Sequence, residues 1–182
     1  MSELEEIKSS LSAPVVRLSP TAINTYIRCP REFYYNYVLR MPTPPSIHLL
    51  KGSIVHKVLE RFFNAYEAPL TDTIFRQFEE EWTSKLDELN QLGLTEEQLT
   101  KEKVDAGNII DMYLRSFKLD IEYMMWNGKA ENEKHAYFLL RPKFREKFYE
   151  DKELNLCGYV DRIHTDWDGT ITIADYKTSN RY

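Results

Sequence analysis

The residues best suited to chemistry in this sequence are two aspartates and a lysine near its end. Asp175 and Lys177 stand two apart in the run Thr170 to Thr178, and Asp161 lies in the preceding run Leu154 to Thr165. Both runs read as strands, and Asp166, Trp167, Asp168 and Gly169 between them form a turn signal. A hairpin centred on Asp168 sets Ile163 opposite Ile173 and therefore Asp161 opposite Asp175; a bulge would shift this by one. Period 2 keeps Lys177 on the face of Asp175, makes that face partly apolar through Ile171 and Ile173, and turns Tyr176 away. Directly opposed side chains have Cβ atoms roughly 4.5–5.5 Å apart, so two carboxylates there repel each other. A hard divalent cation, Mg²⁺ or Mn²⁺, offsets that repulsion by taking oxygen ligands from both strands. Lys177 is then placed to orient or help deprotonate a water and to support negative charge developing on a phosphate. Phosphodiester hydrolysis is the reaction this arrangement suits. An ordinary surface ion pair has the same Asp-x-Lys pattern, so the spacing against Asp161 is what points to chemistry. A single His56 on a helix is likewise what a structural histidine looks like.

The elements that must position these residues are helices first and strands afterwards. Ser19 followed by Pro20 predicts an N-cap and first helical residue, with Ile23, Tyr26 and Ile27 as an apolar stripe. A second helix opens at Pro30 and carries Phe33, Tyr34, Tyr37 and Val38 until Pro42, Pro44 and Pro45 forbid continuation; its aromatics are expected in the core rather than as a base-stacking platform. A third helix, about Leu49 to Tyr66, puts Ile54, Val55, Val58, Leu59 and Phe62 on one face and His56 with Glu60 on another side. Two amphipathic segments, about Thr71 to Leu92 and about Thr95 to Trp126, are separated by Gly93 and read as a helical insertion or lid. Strands follow after about Ala136: Phe144 to Tyr149, Leu154 to Thr165 and Thr170 to Thr178. This order predicts one α+β domain whose sheet packs on the early helices, after a loose lead-in over residues 1–17.

With 182 residues, 42% of them hydrophobic and 29% charged, the chain has apolar material for one core. No apolar run approaches the roughly 20 residues that cross a bilayer, and Met1 to Ala13 lacks the apolar centre of a signal peptide, so a cytoplasmic protein without a membrane role is expected. Cys29 and Cys157 are the two cysteines, too few for a disulfide scaffold. The net charge of −5 does not advertise nucleic-acid binding. Between Arg28 and Arg61, however, Arg28, Arg31, Arg40, Lys51, Lys57 and Arg61 face only Glu32 and Glu60.

Four motifs, in order, resemble the RecB-like branch of the PD-(D/E)XK nucleases, which includes CRISPR adaptation nucleases. Ser19-Pro20 through Cys29-Pro30 and Phe33-Tyr34-Tyr35 is similar to the entry helices. Gly52, His56, Leu59 and Glu60 follow the G-x-x-x-H-x-x-L-E helix. Gly158, Asp161 and Arg162 follow the G-x-x-D-R strand, and Asp175, Tyr176, Lys177 and Thr178 the D-Y-K-T strand. The middle helical region is unmatched. The resemblance implies a restriction-endonuclease-like α+β core over residues 18–182, with its insertion at about 71–127 and its motif-bearing sheet at about 143–178. It implies that His56, Asp161, Asp175 and the backbone carbonyl of Tyr176 bind the metal and that Lys177 is catalytic. Glu146 is the candidate for the acidic residue many relatives carry on the first strand. Glu60, one turn from His56, is a weaker candidate that would equally orient the imidazole. An imidazole ligand tilts the choice of metal from Mg²⁺ toward Mn²⁺.

The family continues past the D-x-K strand into a Q-x-x-x-Y-like helix that has no counterpart here, so a truncated form is one reading. Some relatives hold a 4Fe-4S cluster, and Cys29 matches its first ligand. Three further cysteines are missing and Cys157 lies elsewhere, so this chain as given is not expected to assemble the cluster. The expected function is a metal-dependent DNA nuclease, exonuclease-like on ends or single strands, with a helicase or other DNA-processing subunit as a further partner. The alternative is a catalytically weak DNA-binding module.

Overall fold

The computed structural model describes residues 17–42, 44–165 and 169–178. The described helices are α1 (Pro20–Arg28), α2 (Pro30–Phe33, continued by a π-helical turn at Tyr34–Val38), α3 (Ile47–Phe62), α4 (Leu70–Ser84), α5 (Leu86–Asn90), α6 (Glu96–Trp126) and α7 (Glu133–Leu140). The strands are β1 (Phe144–Asp151), β2 (Leu156–Thr165) and β3 (Ile171–Ala174), in a sheet of order β1-β2-β3 with β2 and β3 antiparallel. This is the α+β mixture expected of a restriction-endonuclease-like fold. The lead-in through residue 16 and the hairpin residues Asp166, Trp167 and Asp168 lie outside the described residues. Two compact units divide the chain: one ends at Pro44 and includes Phe148–Tyr159, the other comprises Pro45–Lys147 and the residues from Val160 onward.

In the first unit, the Ser19 hydroxyl accepts the Ala22 N–H at 3.1 Å and Pro20 opens α1, as its sequence predicts. The face α1 buries is not the expected one. Ala22 and Thr25 are its buried residues, while Tyr26 and Ile27 are 55% and 75% exposed. The start of α1 lies close to β2: Leu18 bridges Leu156, and a Cβ at Gly158 would lie 3.3 Å from Pro20 Cδ. The aromatics of α2 are not core either. Tyr34 and Tyr35 are exposed, and Phe33 is half-buried between Tyr26 and Tyr37 at centroid distances of 5.4 and 5.2 Å. Cys29 caps α2, its Sγ accepting the Glu32 N–H at 3.4 Å.

In the second unit, α3 buries Ile54, Val55, Val58, Leu59 and Phe62, the stripe its periodicity predicts, among residues of α4, α6 and α7. Edge-to-face contacts join Phe62, Phe63, Phe117 and Tyr137 at centroid distances of 5.1–5.9 Å. Tyr137 lies on α7, a helix the sequence reading left unassigned; it is fully buried and donates its hydroxyl to the carbonyls of Phe62 (2.5 Å) and Ala65 (3.1 Å). A buried lysine on α3, Lys51, is fixed to α6 by Glu102 at 2.7 Å and Asp105 at 2.5 Å. The region expected as one segment from Thr71 to Leu92 is two helices, α4 and α5, interrupted at Lys85. The register of β2 and β3 is the inferred one, with Ile163 opposite Ile173, but the ladder stops at Arg162 and Ala174, one pair short of the aspartates. Ile171 and Ile173 are each 68% exposed, so the apolar β3 side of that face is open to water. Among the described residues, no helix is long and apolar enough to cross a membrane.

Candidate metal centre

The second unit brings His56, Glu146 and Asp161 together. One ligand atom from each lies within 4.8 Å of the others. His56 comes from the polar side of α3. One turn earlier, a Cβ at Gly52 would lie 3.3 Å from Thr178 Oγ1, so glycine there lets the segment after β3 pass close to the helix. Asp161 comes from β2 and is 9% exposed. Glu146 comes from β1, where its φ of 43° is left-handed, a conformation that costs a non-glycine residue on the order of 1–2 kcal/mol. Strain of this kind is retained where the surroundings fix it, and here it accompanies a carboxylate 3.0 Å from His56 Nδ1.

The fourth participant is a backbone group. Tyr176 donates its N–H to Asp161 Oδ2 at 2.7 Å, and its carbonyl oxygen lies 3.2 Å from His56 Nε2. The imidazole therefore faces oxygen on both sides: Glu146 at 3.0 Å and Asp161 at 3.6 Å around Nδ1, and the Tyr176 carbonyl at Nε2. A neutral imidazole has one N–H, so it satisfies one side and presents a lone pair to oxygen on the other. A doubly protonated ring or a cation among these atoms removes that conflict. Two carboxylates and one imidazole nitrogen make a donor set suited to Mn²⁺ or Mg²⁺ and fit such an ion, with the Tyr176 carbonyl on the Nε2 edge of the same ring.

Asp175 and Lys177 are placed differently. Both follow the end of β3, both are more than half exposed (57% and 73%), and the lysine Nζ pairs with Asp175 Oδ2. The hydrogen bond that Lys177 donates to Asp175 raises the Lys177 pKa; burial opposes it, and the nearby charges of Asp175 and Asp161 add to the rise. The alternation predicted for this segment is present, with Tyr176 half-buried between exposed neighbours. Glu60 stays outside the cluster and accepts from Lys57 Nζ at 2.7 Å. Glu146, which only the resemblance offers as the acidic residue of the first strand, sits on a left-handed backbone inside a strand, of which periodicity gives no hint.

A ring network lies against this site. The Tyr176 ring makes edge contacts with His56 at 5.7 Å and with Tyr113 of α6 at 5.6 Å. Arg162 Nη1 donates to the Tyr113 hydroxyl at 3.3 Å, and both groups lie close enough to the Tyr176 phenol to lower its pKa against the effect of burial. Burial raises the pKa of both phenols, that of Tyr113 well above the ordinary range. Sequence reasoning singled out neither Tyr113 nor Arg162 for this role.

Compared with known proteins, residues 17–182 match the family model of the PD-(D/E)XK nuclease superfamily. No curated protein and no solved structure matched the chain.

Proposed function

The chain belongs to the PD-(D/E)XK nuclease superfamily, and from that premise we propose that it is a divalent-metal-dependent deoxyribonuclease, exonuclease-like on DNA ends or single strands. The superfamily consists of nucleases that work with divalent metals. The observation that carries the reading is the convergence of His56, Glu146 and Asp161 within 4.8 Å, beside the Tyr176 carbonyl. These four groups, with Asp175 as the further carboxylate, would hold Mg²⁺ or Mn²⁺. Such an ion, when bound, supplies Lewis acidity and lowers the pKa of water.

The chain's own residues account for the rest. Asp161 accepts the Tyr176 N–H and so fixes the segment that presents Lys177. Lys177, beside Asp175, supplies positive charge for a phosphate and orients or helps deprotonate a water. A helicase or other DNA-processing subunit is the partner class that fits this reading.

A second reading is favoured by one observation: Lys177 and Asp175 pair with each other at an exposed position. In that reading the fold binds DNA through Arg28, Arg31 and Arg40 and cuts poorly. Degradation of end-labelled and end-blocked DNA, single-stranded and duplex, with Mn²⁺ or Mg²⁺ separates the two. The nuclease reading expects metal-dependent cutting that Lys177→Ala reduces by about 10²-fold or more. Salt-sensitive binding unaffected by EDTA or Lys177→Ala, with no cutting by wild type, establishes the second.

A further inference from the structure

We propose that Tyr113 and Arg162 are positioning residues that set the Tyr176 peptide in the metal centre from behind; this rests on the nuclease reading above. The Tyr176 peptide has two duties. Its N–H binds Asp161 at 2.7 Å, and its carbonyl faces His56 Nε2 at 3.2 Å. A shift of a few tenths of an ångström in this backbone moves both contacts at once, yet the strand ladder that would ordinarily fix it has already ended at Ala174.

The side chain of Tyr176 does the fixing. Its half-buried ring is gripped between His56 and Tyr113 in edge contacts at 90° and 88°. The Tyr113 ring that packs against it is itself tied to Arg162, whose Nη1 donates to the Tyr113 hydroxyl at 3.3 Å. Tyr113 is anchored in turn. Its ring lies nearly parallel to Phe117 (6°) and edge-on to Phe63, each at a centroid distance of 6.4 Å, within the apolar body of α6 and α3. Arg162 is the residue after Asp161 on β2, so one stretch of strand presents a carboxylate to the N–H of Tyr176 and a guanidinium to the Tyr113 hydroxyl, whose ring packs edge-on against the Tyr176 ring. Tyr176 is thus held at both ends by neighbours in sequence, Asp161 directly and Arg162 through Tyr113. Partners of this kind typically alter metal affinity by about 10–100-fold when removed.

The test uses Tyr113→Phe, Arg162→Met and Tyr176→Phe, each removing one polar group of this cluster and keeping a side chain of similar size. Two quantities are read: amide hydrogen exchange at Tyr176 relative to amides of β2 in metal-free protein, and Mn²⁺ affinity by calorimetry. We expect Tyr176 exchange to accelerate selectively, Mn²⁺ to bind about 10–100-fold more weakly, and Arg162→Lys to recover part of both. Exchange at Tyr176 that is unchanged, or that accelerates only in step with β2, overturns the proposal, as does unaltered Mn²⁺ affinity. If wild type binds no Mn²⁺, the nuclease reading falls, and the exchange measurement alone decides whether Tyr113 and Arg162 position this peptide. Tyr137→Phe, which removes a hydroxyl from the core, serves as the reference: it should lower stability and leave Tyr176 exchange in step with β2.

Discussion

Helix α3 serves two regions of opposite character. Toward α4, α6 and α7 it contributes Ile54, Val55, Val58, Leu59 and Phe62 to a core in which each ring or methyl has many neighbours. On its other side it contributes one imidazole to a cluster defined by three oxygen-bearing groups, one of them on a left-handed residue. The core tolerates small errors because its attraction is summed over many weak contacts. The cluster does not, since each of its distances rests on one or two atoms. Stability and chemistry should therefore be separable by substitution, even on a single helix.

The largest effect should come from the core. Phe62→Ala removes a ring in contact with Phe63, Phe117 and Tyr137 and should cost about 4 kcal/mol in urea denaturation, while the folded fraction binds Mn²⁺ as wild type does. A parallel loss of metal affinity would break the separation. Alkaline pH should produce the next effect. Burial pushes the Tyr137 phenol up to about 12 from an ordinary value of 10.0. The unfolded chain then gives up its proton first, so stability should fall by roughly 2–3 kcal/mol as pH rises from about 10 to about 12. Tyr137→Phe should flatten that limb of the stability–pH curve.

Lys51→Met should cost about 2 kcal/mol, below the range for fully buried pairs because Glu102 and Asp105 keep partial exposure. Thermal or urea denaturation at neutral pH measures it, and a neutral outcome would mean that the Lys51 bridge to α6 contributes no net stability. The smallest change in stability should come from the cluster itself. Glu146→Gly relieves the left-handed backbone and should stabilise the protein by about 1 kcal/mol, while Mn²⁺ affinity drops at least tenfold. Stabilisation without loss of affinity would remove Glu146 from the site.

What was legible in the sequence follows the same division. The α3 stripe and the pairing of Ile163 with Ile173 could be read because periodicity and turn placement act along whole elements. On α1 the same rule misled: its buried residues are the small Ala22 and Thr25, while Tyr26 and Ile27 of the apolar stripe are exposed, and a hydrophobic stripe does not reveal which side of a helix the rest of the chain covers. Helix α7 was missed although Asn132 caps it, because the short run Ala136 to Leu140 suits a strand as well as a helix. The expected facing of Asp161 and Asp175 followed from carrying the register one pair further. The Asp161 carboxylate instead takes the Tyr176 N–H, and Asp175 turns to Lys177. Side-chain capture of a backbone donor leaves no periodic trace. The resemblance to RecB-like nucleases supplied His56 and the Tyr176 carbonyl, which residue spacing alone did not.

The most direct test of the central claim is a calorimetric Mn²⁺ titration of wild type and Asp161→Ala, followed in the same samples by incubation with labelled single-stranded DNA. The account predicts that wild type binds Mn²⁺ and cuts, and that the variant, still folded by circular dichroism, does neither. Equal Mn²⁺ binding by the two proteins would contradict it.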